Sequence, residues 1–194
     1  MIFALAALAK ETTLFFVAGY GLYLLVGRRW RTAILFGGMA ILPFIVWQLI
    51  LRSSLGAFGI GSGGALATSF EVIPFAGIAR ILTETPPQSR AGIVAIFSVI
   101  LIPFVIVPTL WAMWRCWMEW RKNTWTAYTY LLFTNAGIIL FVPFSTYREP
   151  LGILRFIVGL QIAAILYAAE KKRTRALRNS TIWIVTVLFA LSLL

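Results

Sequence analysis

The segment Phe144 to Phe156, FSTYREPLGILRF, sets Tyr147, Arg148 and Glu149, and then Arg155, at the join between two long apolar runs. Charged groups at the lip of a hydrocarbon-soluble segment are costly unless they are paired, hydrated or in use. Arginine grips a phosphate in two-pronged fashion and lysine as a point charge, so such a corner suits capture of an anionic, lipid-borne substrate. Lys10-Glu11, inside ALAKETTLFF, and Arg80, inside EVIPFAGIARIL, are the other candidates for the same task. Ordinary interfacial anchoring would use the same residue types; the clustering of these pairs with Arg155 on one face favours a binding role.

The rest of the inventory excludes more than it offers. The chain has six glutamates, no aspartate, no histidine and one cysteine, Cys116. That removes haem ligation, zinc sites, carboxylate-histidine relays and disulfides within the chain. No set of cofactor ligands is identifiable, and dependence on a divalent metal stays open.

Of 194 residues, 61% are hydrophobic and 12% charged, against roughly a quarter charged in an ordinary soluble domain. The apolar runs approach the ~20 residues that a helix needs to cross ~30 Å of hydrocarbon. A bilayer offers the backbone no hydrogen-bonding water, and alternating strand patterns are absent, so the spans must be helices. The fold class is therefore all-α: a polytopic transmembrane helical bundle in one domain over residues 1–194. It comprises about five full spans, a partial amino-terminal segment and a short interfacial helix in a long outer loop. No basic n-region precedes the first apolar run, so a cleaved signal peptide is not expected.

In order, Met1 to Ala9 is apolar but short, either an interfacial piece or the tail of another span, the latter making this chain the end of a longer protein. Thr12 to Gly27, Thr32 to Leu51, Ala91 to Leu110, Thr126 to Ser145 and Leu151 to Ala169 read as spans, and Ser180 to Leu194 begins a last one. Pro43, Pro103 and Pro108 should bend their helices. Arg52 to Phe70 carries five glycines between Gly56 and Gly64 and reads as a loop. Its GIGSGG is not a phosphate-binding P-loop, because no Gly-Lys-Ser/Thr follows and no strand precedes it. Glu71 to Leu82 reads as the short interfacial helix, and TETPPQSR as the turn that ends it. Trp111, Trp114, Trp117 and Trp120 form a headgroup-level belt, and Asn135, in mid-span, is expected to hydrogen-bond another helix.

The charges are distributed by side. Connections 28–31, 115–122 and 171–178 hold 3, 3 and 5 basic residues, 11 of the 17, against Glu119 and Glu170 alone. By the positive-inside rule these connections are cytoplasmic, which makes the +11 net charge a matter of orientation in the plasma membrane, not of nucleic-acid binding. Loops 52–90 and 145–150 then face outward with Lys10-Glu11.

On the run ending ALAKETTLFF, the basic hinge GRRWR and the outer loop GIGSGGALATSFEVIPFAGI, the chain resembles the later half of a GT-C type glycosyltransferase. Such enzymes are polytopic and take a sugar from a polyprenyl-phosphate carrier on the outer face, with a short helix parallel to the membrane. The resemblance implies that Lys10, with Arg148 and Arg155, contacts the carrier phosphate, and that Glu11 or Glu149 orients the acceptor or sugar. It implies a lipid-linked sugar donor, a cell-surface glycan, lipid or protein acceptor, and surrounding membrane lipids as partners. The family's catalytic carboxylate, a general base, sits in an early outer loop, which would lie in a missing amino-terminal half. Two other readings stand beside it: a lipid-linked-glycan polymerase or ligase, which would likewise use the outer-face arginines but no metal, and a transporter or non-catalytic membrane subunit with Asn135, Gln161 and Arg155 along a pathway.

Overall fold

The computed structural model describes residues 11–59, 68–84, 101–148 and 150–183, together with Phe3, Ala6, Leu8, Ala91, Val94, Ala95, Ser98 and Val99. Among these residues every regular element is helical. A 3-10 turn, Glu11–Thr13, leads into α1 (Leu14–Val26), followed by α2 (Trp30–Leu55) and the short α3 (Ala76–Glu84). A π-turn at Ile102–Ile106 runs into α4 (Val107–Arg121), and α5 (Ala127–Leu140), α6 (Phe144–Arg148), α7 (Pro150–Glu170) and α8 (Thr174–Ser180) complete the order.

Helix α7 is the spine. Its buried residues Ile153, Ile157, Leu160, Ala164 and Tyr167 recur every three or four positions and form one stripe. That stripe meets Leu132, Ala136 and Ile139 of α5 and Val105 and Ala112 of the α4 segment in the main core. Helix α1 closes on α5 through Gly19, where an added Cβ would lie 2.9 Å from both Leu131 Cα and the Tyr130 carbonyl. Backbone contact of that intimacy is how small residues join helices in a bilayer. Thr134 Oγ1, donating to the Phe15 carbonyl at 2.9 Å, fixes the register.

Helix α2 differs from all of these. It is 26 residues long, about 39 Å at 1.5 Å per residue, and its most apolar window is only 11% buried, against 53% for α7. Ala33, Ala40 and Phe44 face inward, while Ile34, Leu35, Met39, Leu42 and Leu49 lie exposed. A helix apolar all round belongs in hydrocarbon or inside a larger protein.

Several boundaries move from their sequence expectations. Only Trp30–Leu55 and Gly152–Glu170 are long and apolar enough to cross a membrane among the described residues, where about five spans are expected. Pro143 cuts α5 off at 14 residues, and α1 has 13. Residues 92, 93, 96, 97 and 100 of the expected span from Ala91 to Leu110, and residues 184–194 of the last one, lie outside the described residues. Helix α2 runs past Leu51 to Leu55 and stops at Gly56, whose φ of +73° suits glycine and whose N–H bonds the Arg52 carbonyl at 3.0 Å. The tryptophan belt is the end of a helix, not a connection, since nothing from Val107 to Arg121 breaks one. Asn135 does not bridge helices: its amide donates to the Leu131 carbonyl of its own helix at 2.9 Å, and its oxygen faces Gly159 of α7.

Candidate functional site

The two ends of the bundle are built differently. At the first, α1, α4 and α7 stop in the same turn. The N–H of Arg29 reaches back to the Leu24 carbonyl, that of Thr124 to Glu119 and that of Arg173 to Ala168, at 2.8 to 3.0 Å. Inside each wide bond is a tighter one, from Arg28 to Leu25, Asn123 to Trp120 and Lys172 to Ala169. The residues at the corner, Arg28, Asn123 and Lys172, have φ of +56°, +53° and +50°. This is the Schellman ending, made three times without glycine. Tyr23 stacks near Tyr130, and Lys171 reaches Glu119, so all three basic turns lie at one end.

Just inside that end is a buried carboxylate. Glu119 is 6% exposed and accepts hydrogen bonds from Thr129 Oγ1 and Tyr167 OH, each at 2.7 Å. Lys171 Nζ stands 3.3 Å from the same carboxylate and 3.9 Å from Glu170, and donates to the Thr124 carbonyl. A buried carboxylate is tolerable only with such partners. No local pattern in the sequence ties Glu119 to Tyr167, 48 positions away; the one available signal is an acid standing alone in a basic belt.

The opposite end gathers the sequence candidates. Pro143 ends α5, leaving its last carbonyls without helical partners. The outer loop supplies donors: Phe75 N–H reaches Leu140 O at 2.7 Å, and Glu71 N–H reaches Phe141 O at 3.0 Å. Phe75 does this at φ +59°, an uncommon conformation for a bulky residue. Thr68 and Ser145 add reciprocal bonds, each backbone N–H donating to the other's hydroxyl at 3.2 and 3.1 Å. Helix α3 is therefore pinned along α6, and it starts at Ala76, later than the expected Glu71, because Pro74 and the Phe75 turn precede it.

Arg80 lies on the outer face of α3. Its Nε donates to Glu84 at 2.8 Å and its Nη1 to Glu71 at 3.0 Å, and its guanidinium sits 4.8 Å above the Phe144 ring. Glu84 first, then Glu71, raises the proton affinity of this arginine above its ordinary value. Two carboxylates already match its charge. Tyr147 is fully buried beneath α3; its hydroxyl donates to the Ile139 carbonyl at 2.9 Å, and its ring lies 2.8 Å from where a Cβ on Gly77 would stand. Tyr147 thus acts as a pin between α3, α6 and α5.

The other candidates share this end by backbone. The Glu11 turn touches α7, Arg148 is the last residue of α6, and Arg155 lies in the second turn of α7. The expected phosphate contacts of Lys10, Arg148 and Arg155 and the orienting roles of Glu11 and Glu149 rest on side chains outside the described residues. Among the described residues no group of three Cys or Glu side chains gathers in a metal-holding cluster. Comparison with protein-family models, characterised proteins and solved structures finds no match to this chain.

Proposed function

We propose that this chain is the later part of an integral-membrane, GT-C type glycosyltransferase of about five spans, which takes a sugar from a polyprenyl-phosphate carrier. One observation carries the reading. The short helix α3 is strapped across the bundle end opposite the three basic turns, directly beside the α6–α7 corner whose sequence is Tyr-Arg-Glu-Pro. A lipid-borne phosphate arriving at that corner would come to the chain positions of Arg148, the last residue of α6, and Arg155, in the second turn of α7. With the basic turns inside, by the positive-inside rule, the strapped end faces outward. The reading assigns the general base to an early outer loop beyond residues 1–194.

The exposed apolar faces of α2 support a membrane setting. The transporter alternative has less support, because Asn135 spends its amide on its own helix. The test is transfer from a polyprenyl-phosphate sugar in membranes holding the protein as its gene encodes it. Arg148→Ala and Arg155→Ala should each cut turnover at least tenfold with expression unchanged, and full turnover in both overturns the proposal.

A further inference from the structure

The basic end contains a second feature, which borders the buried carboxylate and takes no part in the proposed transfer. Between α4 and the turn from α7 into α8 lies a recess of about 510 Å³, whose wall carries Arg115, Lys171, Lys172, Arg173, Arg175 and Asn179 and no acid. Lys171 is engaged with Glu119. The other four cations, Arg115, Lys172, Arg173 and Arg175, make no ion pair among the described residues.

A second recess, of about 200 Å³ and mainly apolar, adjoins the first and shares Trp111, Ala176 and Asn179 with it. It continues from Trp111 along Val107 and Pro103, one and two turns further from the basic wall, the latter about 12 Å beyond Trp111 at roughly 1.5 Å per residue. Trp114, Trp117 and Trp120 stand exposed on the flank of α4, and tryptophan settles at headgroup depth. A cationic bowl at that depth, opening into an apolar slot directed toward the hydrocarbon, has the form of a lipid.

We infer that this pair of recesses binds one anionic phospholipid, its phosphate among Arg115, Lys172, Arg173 and Arg175 and one acyl chain along Trp111, Val107 and Pro103. Basic pockets at the cytoplasmic ends of membrane helices hold anionic headgroups in this way. The site rests on the membrane reading and is independent of the transferase reading, whose substrate would enter at the other end. A nucleic acid or an acidic peptide would use the bowl but leave the slot empty.

The probe is the melting temperature of the full chain in neutral detergent, titrated separately with phosphatidylglycerol, phosphatidylcholine and inorganic phosphate. Phosphatidylglycerol should raise it saturably, and the other two should not. Arg173→Ser with Arg175→Ser, both on the surface, should weaken the apparent affinity on the order of tenfold or more, while Arg28→Ser with Arg29→Ser leaves it unchanged. Val107→Trp, which fills the slot, should weaken long-chain phosphatidylglycerol and spare a short-chain analogue. Equal effects of phosphatidylcholine, an equal effect of free phosphate, or unchanged binding in the Arg173/Arg175 variant each overturn the inference. A chain that stays soluble and folded after detergent is removed contradicts the membrane reading instead, and loss of sugar transfer alone touches neither.

Discussion

The basic end and the strapped end solve the same problem, the closing of helix termini, by opposite means. At the basic end the chain passes from helix to helix within three to five residues, and the polar groups of three helices converge inward on Glu119. At the strapped end a long connection comes from far along the chain to cap α5, and its one described ionic cluster, around Arg80, points outward. An inward network is held by its neighbours and contributes to stability. An outward one is hydrated, contributes little, and leaves its surroundings free to change, so the basic end should behave as the rigid base and the strapped end as the working surface.

The largest expected effect breaks the base. Glu119→Ala leaves Tyr167, Thr129 and the Lys171 ammonium facing an empty, mostly buried site, and should cost about 3 kcal/mol or more, read as a lowered unfolding midpoint in detergent. The next loosens the strap. Gly77→Ala puts a methyl 2.8 Å from the Tyr147 ring and 3.0 Å from the Val142 carbonyl, an overpacking of about 1–3 kcal/mol. Faster hydrogen exchange over 76–84, with the α4–α7 turns unchanged, would show it. Tyr147→Phe keeps the packing and deletes the bond to Ile139, for about 1 kcal/mol, in the same exchange measurement. Arg80→Gln is the smallest: exposed ion pairs are screened, so the melting point should barely move and the small change should vanish in high salt. An Arg80→Gln loss as large as that of Glu119→Ala would erase the distinction between the ends.

Which parts of this were legible in the sequence follows from the range of the interactions. The three basic turns are visible in the sequence because clustered lysine and arginine mark helix ends. Helix α7 was legible to within a residue at each end, since Pro150 and the Glu170-Lys171 boundary are local signals. Helix α3 starts five residues later than the sequence indicates because the bent and turning stretch from Glu71 to Phe75 is held by the last carbonyls of α5, which are distant in sequence. Arg80 and Tyr147 stand out in the sequence by residue type and by their place on the outer connections. Their partners, Glu71 and Glu84 for one and the Ile139 carbonyl for the other, appear only once the loop is folded back. The Glu119 network was invisible for the same reason.

The claim that the two ends face opposite sides of a membrane is open to one direct measurement. The native Cys116 is buried, with its Sγ 3.7 Å from the Thr129 carbonyl, and should stay silent toward a membrane-impermeant thiol reagent. Val72, 89% exposed beside the strap, and Lys122, on the α4–α5 turn, can then each be replaced by cysteine in otherwise intact cells. Labelling of Val72→Cys from outside, with Lys122→Cys reacting only after permeabilisation, is the expected result. Labelling of both from the same side contradicts it.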